Sequence, residues 1–233
     1  MPHSTPQQRL IRDVTRAARS DSPLEVELAF GGVADTMTNE QLVDTMDQVV
    51  RRDAPGDPLV LKVLSVLGPA IVREQAGGLI AETDAELPEW ADALGGVHLL
   101  RATRLSTLHR DIDIVWLEFA YPGDRWPHVV ALGMAQILGG FDAIDIGAFE
   151  TVAEMGAALA EDRVVLESYG MAEVEMDETY VRKRLPEAYR QGLEMAMFDG
   201  KGSDLAWTLG AHRLRVFSGV DVESIPWPPH EPR

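Results

Sequence analysis

The chain has 233 residues, 45% of them hydrophobic and 25% charged, with 20 Gly, 14 Pro and no Cys. That length suits one large domain or two small ones, and the composition excludes collagen, coiled coil and wholesale disorder. Asp and Glu number 38 against 21 Lys and Arg, a formal net charge of −17; this field opposes nucleic-acid backbones, and the absent cysteines exclude disulfides, Cys-ligated metal and thiol nucleophiles.

Only Lys62, Lys183 and Lys201 among the basic residues are lysine, the coding bias of a GC-rich, bacterial genome. The first twenty residues lack the apolar core of a secretory signal. The most apolar stretch, 59–72, is interrupted by Lys62, Gly68 and Pro69 and falls short of the roughly 20 residues of a membrane span. The expectation is a cytoplasmic protein without a membrane span.

In chain order, Arg9, Arg12, Arg16 and Arg19 form one stripe of a predicted helix over 6–19, and Leu10, Ile11, Val14 and Ala18 another. The basic stripe either docks on the rest of this acidic chain or serves as an arm for an anionic partner. Thr38 and Gln41 form a capping box for a second helix that runs to Arg51 and Arg52, and Ala54-Pro55-Gly56 stops it. Asp57 is the expected N-cap and Pro58 the first residue of a helix with almost no polar face, which Pro69 kinks or ends. A short helix follows from Pro88 to Gly95-Gly96.

The period then changes. Residues 111–121 read as a strand, Pro122-Gly123-Asp124 as a turn, 129–134 as the antiparallel return and 141–146 as a third strand. Residues 135–138 could be helical instead. Helices are predicted around 149–159, from Pro186 to Met197, and over 205–217, with a short strand at 163–166, a loop at 199–203 and a Pro-rich tail beyond 221. The expected fold class is α+β: a helical N-terminal half packed on a small antiparallel β-meander with C-terminal helices. Residues 1–107 form the helical part and 108–220 the sheet and helices of the same compact unit, with 221–233 as tail.

No nucleophile elbow, zincin helix, Walker loop or dinucleotide fingerprint is present, and Gly200-Lys201-Gly202-Ser203 lacks the upstream glycine a phosphate loop needs. His109, Asp111 and Asp113 would alternate along the incoming strand with His128 on the return; this is first a solvated strand mouth and, as the alternative, a donor set suited to a divalent metal. Glu118, set among Trp116, Leu117 and Phe119, would become a general acid only if its face were covered. Between 142 and 178 eleven carboxylates stand against Arg163 alone, ending in Glu173, Glu175, Asp177 and Glu178. That run is either a solubilising face or a docking face for a basic protein. The leading expectation is a non-catalytic interaction or regulatory module that uses this acidic surface and needs no cofactor. A metal-assisted hydrolase at His109, Asp111, Asp113 and His128 and a nucleic-acid accessory protein acting through the arginine stripe are the alternatives.

Overall fold

The computed structural model describes residues 4–20, 22–52, 54–83, 87–109, 112–137, 140–149, 151–158, 170–198 and 207–225, with the backbone alone for 136, 137, 140–145, 152, 158 and 194–198. The chain is α+β: N-terminal helices, an antiparallel sheet and C-terminal helices. It divides into two compact units. The first comprises Met1–Val97, Ala120–Trp126 and Ala206–His212, and the second His98–Phe119, Pro127–Leu205 and Arg213–Arg233.

The first unit is built on five helices: α1 (Pro6–Ala17), α2 (Pro23–Ala34), α3 (Asn39–Arg52), α4 (Asp57–Leu67) and α5 (Ala70–Ala81). A capping box starts α1, with Gln8 N–H donating to Thr5 Oγ1 and Thr5 N–H to Gln8 Oε1. The predicted box of α3 forms in the same way, Thr38 N–H to Gln41 Oε1 at 2.9 Å and Gln41 N–H to Thr38 Oγ1 at 3.2 Å. Leu10 and Val14 of α1, Phe30 of α2 and Val60, Val63 and Leu64 of α4 are completely buried in one core, each worth roughly 1.5–3 kcal/mol on burial.

One expectation is met and one needs correction here. Of the two outcomes expected at Pro69 the helix ends: the apolar run 59–72 is two helices, with Pro69 the N-cap of α5 and Gly68 closing α4 with an N–H donated to the Leu64 carbonyl. Asp57 does not cap α4 with its side chain, since Gly56 is the N-cap; its carboxylate instead accepts from Ala54 N–H and from the Arg52 guanidinium. Helix α2 was not expected at all. It is apolar nearly all round, and its buried Glu27 accepts a 2.5 Å hydrogen bond from the hydroxyl of Tyr121, a charge-assisted contact that makes a carboxylate tolerable there.

A 3₁₀ turn at Glu89–Ala93 buries Trp90 and leads to Gly95, whose φ of +82° is glycine territory. The expected turn after Tyr121 also belongs to this unit. Gly123 and Asp124 both have positive φ, the left-handed backbone that glycine and aspartate accept in tight turns. Trp126 has φ +48°, a strained conformation for an aromatic residue. The edge of its ring relation to Tyr121, 6.0 Å between centroids, and the Arg125 guanidinium 4.5 Å from the ring hold it there.

The sheet has the order β4-β3-β2-β1-β5. Its strands are β1 (His98–Ser106), β2 (Ile112–Tyr121), β3 (Arg125–Ile137), β4 (Gly140–Phe149) and β5 (Ala172–Glu173). Within the second unit β2 alternates: Asp113, Val115, Leu117 and Phe119 are buried, and Ile112, Ile114, Trp116 and Glu118 lie on the opposite, partly exposed face. Strand β3 pairs antiparallel with β4 from Val129↔Phe149 to Ile137↔Gly140, with a register shift between Gly133 and Met134. Residues 135–137 are therefore strand, not helix. Strand β1 was unexpected, and it gains β5 as its outer neighbour through Leu105↔Glu173 and Ser106↔Ala172.

Helix α6 (Val152–Ala158) follows β4, so Phe149 ends a strand and does not begin the helix. A π turn at Tyr180–Arg184 leads into α7 (Leu185–Phe198), whose Leu185, Ala188 and Tyr189 are buried. The last helix, α8 (Trp207–Ser218), contributes Trp207–His212 to the first unit and its remainder to the second. The expected strand at 163–166, the loop at 199–203, Leu138, Leu205 and the tail 226–233 lie outside the described residues. Among the described residues no helix is long and apolar enough to cross a membrane.

Candidate functional site

The arginine stripe of α1 becomes one wall of a groove in the first unit, with a cavity volume of about 970 Å³. Arg12, Arg16 and Arg19 come from α1 and the turn after it, Arg51 and Arg52 from the last turn of α3. The connection Ala54-Pro55-Gly56, with Ile11 and Thr15, adds uncharged lining. Local chemistry explains why the two walls meet. Leu10, Ile11 and Val14 turn the apolar stripe of α1 into the core. A Cβ on Gly56 would stand 2.9 Å from Thr15 Cγ2, so only glycine lets the connection approach α1 this closely.

Neighbouring carboxylates pre-orient the guanidinium groups. Asp13 receives Arg12 Nε at 3.0 Å and Arg16 at 3.3 Å, and Arg51 lies 3.6 Å from Asp47 while its Nε donates to the Asp47 carbonyl. Arg52 pairs with the buried carboxylate of Asp57. Hydrogen bonding to these partners raises the pKa of Arg12 and of Arg52 above the ordinary arginine value, so both stay charged at any working pH. Arg12, Arg16 and Arg51 nevertheless keep more than half of their side chains exposed. Among the described residues that line the groove none is acidic, although Asp13, Asp47 and Asp57 pair with its arginines. Arg9, the first of the expected stripe, is exposed on α1 and does not line the groove.

The acidic residues chosen from the sequence occupy the outer edge of the sheet in the second unit. Glu173, Glu175 and Asp177 are exposed and alternate with half-buried Val174 and Met176, and Glu178 is also exposed. Val174 N–H donates to the Arg104 carbonyl, which fixes the segment against β1. Asp177 Oδ1 accepts from Tyr180 N–H at 2.7 Å and Glu178 pairs with Arg182 at 3.2 Å. Exposed Arg182, Lys183 and Arg184 follow at once, so the edge carries both signs of charge. Residues 150, 161, 162, 163 and 167 of the long acidic run lie outside the described residues.

Of the four expected metal ligands, the three that are described, His109, Asp113 and His128, do not converge. His109 sits in the exposed connection between Ser106 and Ile112, not on the strand, and Asp111 lies outside the described residues. Asp113 is fully buried and engaged: its Oδ2 accepts from Arg104 Nε at 3.0 Å and from the Tyr180 hydroxyl at 3.0 Å, with the Arg104 guanidinium 3.8 Å over the tyrosine ring. Burial raises the Tyr180 phenol above its ordinary pKa and the charge of Asp113 adds to the rise, so the hydroxyl remains a donor. His128 is buried at the far end of the same face. Its Nε2 accepts from Arg213 Nε at 2.9 Å, and its ring stacks on Phe119 at 6.0 Å. Phe119 is six residues from Asp113 along β2, about 20 Å at strand rise. Among the described residues no group of three His, Cys, Asp or Glu side chains is placed to hold a metal ion. Glu118 lies on the opposite face of β2 from Asp113, with its side chain 19% exposed and its carboxylate 4.0 Å from Arg101.

Sequence reasoning missed Arg51 and Arg52 as groove residues, having read them only as the end of a helix. It also missed Arg104, Tyr180 and Arg213 as partners of the buried Asp113 and His128. Compared with family models, curated proteins and solved structures, the chain matches none.

Proposed function

We propose that the protein is a binding module whose arginine groove receives an anionic ligand. The carrying observation is the convergence of Arg12, Arg16, Arg19, Arg51 and Arg52 from two helices onto one concavity, where they outnumber the carboxylates of Asp13, Asp47 and Asp57 that pair with them, in a chain of net charge −17. A concavity in which cationic groups are in excess raises the local concentration of the opposite charge. Guanidinium groups held by Asp13, Asp47 and Asp57 lose less side-chain freedom when a ligand arrives.

Titration of inorganic tripolyphosphate into the full chain at low salt is the test. Binding that weakens steeply with added salt and is lost in Arg16→Ala/Arg51→Ala supports the reading. Absence of binding, or binding untouched by the double substitution, refutes it.

The exposed alternation of Glu173, Glu175 and Asp177 on the sheet edge favours a second reading, docking of a basic protein on that edge. A lysine- and arginine-rich peptide should bind the full chain at low salt and release from Glu173→Lys/Glu175→Lys/Glu178→Lys. Unchanged binding by that variant would end this second reading.

A further inference from the structure

We infer that the occupant of the arginine groove is a small organic polyphosphate of nucleotide size, an inference that rests on the anion-binding reading above. The cavity of about 970 Å³ lies at the upper end of the roughly 300–1,000 Å³ typical of small-molecule sites. Its lining has two chemistries. The rim carries planar guanidinium forks, which match phosphate oxygens two at a time. Between them the lining carries buried Ile11, half-buried Thr15 and exposed Pro55, which offer nothing to a bare inorganic anion but can cover the body of an organic one.

Charge number narrows the choice further. Five guanidinium groups, four of them already beside Asp13, Asp47 or Asp57, must be engaged against those carboxylates, which one ligand carboxylate does poorly, whereas a chain of phosphates presents several charges within a few ångströms. A long nucleic acid would have to run beyond the groove across a molecule of net charge −17, and that repulsion grows with every added phosphate. A compact ligand keeps its charge inside the basic concavity. Gln8 and Gln48, also on the lining, supply amide donors and acceptors suited to the hydroxyls or ring edge of an attached body.

Calorimetric titration of the full chain with ATP, adenosine, tripolyphosphate and a short single-stranded oligonucleotide tests this. ATP should bind at least about tenfold more tightly than tripolyphosphate, because it uses the uncharged lining and the arginines together, and adenosine alone should bind far more weakly than either. Arg16→Ala and Arg51→Ala should each weaken ATP by about tenfold or more, while Arg9→Ala, on the same helix but off the groove, leaves it unchanged. Equal affinity for ATP and tripolyphosphate overturns the organic ligand and leaves the anion-binding reading standing. No binding of either overturns both. Oligonucleotide binding tighter than ATP, with a salt slope of several charges, overturns the inference in favour of a nucleic-acid interface. These ligand comparisons use the unmodified protein, so they decide the matter even if an arginine variant fails to fold.

Discussion

Asp35 should make the first unit less stable as pH rises. It is the C-cap of α2, and its Oδ1 accepts from the N–H and the hydroxyl of Thr208 in the first turn of α8. Its Oδ2 is buried without a hydrogen-bond partner among the described residues. Burial raises the carboxyl from 3.8 to about 7, against the lowering effect of the hydrogen bonds from Thr208 and Trp207. The folded state therefore binds the proton more tightly than the unfolded state. The associated stabilisation is fully present below pH 3.8, declines between there and about pH 7, and is gone above. A tenfold change in proton affinity is about 1.4 kcal/mol, so a rise from 3.8 to about 7 corresponds to about 4 kcal/mol in total. Asp35→Asn keeps an oxygen for Thr208 and cannot ionise. Urea unfolding of both proteins from pH 4 to pH 8.5 isolates this one group, because every other titration is common to the pair. The stability of the natural protein relative to Asp35→Asn should fall steadily up to pH 7 and then stay level. A difference that is flat with pH, or that rises, refutes the assignment.

Three further predictions concern named contacts. Asp113→Ala leaves Arg104 buried without its carboxylate and should cost about 3–5 kcal/mol in urea unfolding, with much of the loss recovered in Arg104→Met/Asp113→Leu; a cost below about 1 kcal/mol for the single variant contradicts the ion pair's role. Gly68→Ala would place its Cβ 2.6 Å from the Leu64 carbonyl oxygen and 2.9 Å from Val72 Cγ1, so about 1–3 kcal/mol should be lost, and an unchanged midpoint would show that α4 and α5 can separate freely. Thr38→Ala removes half of the α3 capping box and should lower stability by about 1 kcal/mol, whereas Gln41→Ala, which keeps the threonine acceptor, should cost less.

Helix α3 and strand β2 were legible because local chemistry and tertiary burial agree in them. Thr38 and Gln41 make the bonds their spacing implies, and the buried residues of β2 recur at every second position. Helix α2 defeated the same reasoning because Leu24, Val26, Glu27, Phe30 and Val33 are buried all round it and leave no periodic polar face. Its one signal was Ser22-Pro23 followed by Glu25, a helix start in which the Ser22 hydroxyl accepts from Glu25 N–H. Strand β1 was hidden by adjacent exposed and adjacent buried residues, with Arg104 inside because Asp113 neutralises it. The candidate site was half legible. The α1 arginines are visible as a stripe, but their meeting with Arg51 and Arg52 depends on the crossing of α1 and α3 and on the missing side chain of Gly56, and neither leaves a local pattern.

The most direct measurement is calorimetric titration of tripolyphosphate into the natural protein and into Arg16→Ala/Arg51→Ala at low ionic strength. Saturable binding of one ligand per chain to the natural protein, abolished in the variant while its urea midpoint is preserved, is the predicted result. Equal binding by both proteins, or binding by neither, would contradict a basic groove that acts as the ligand site.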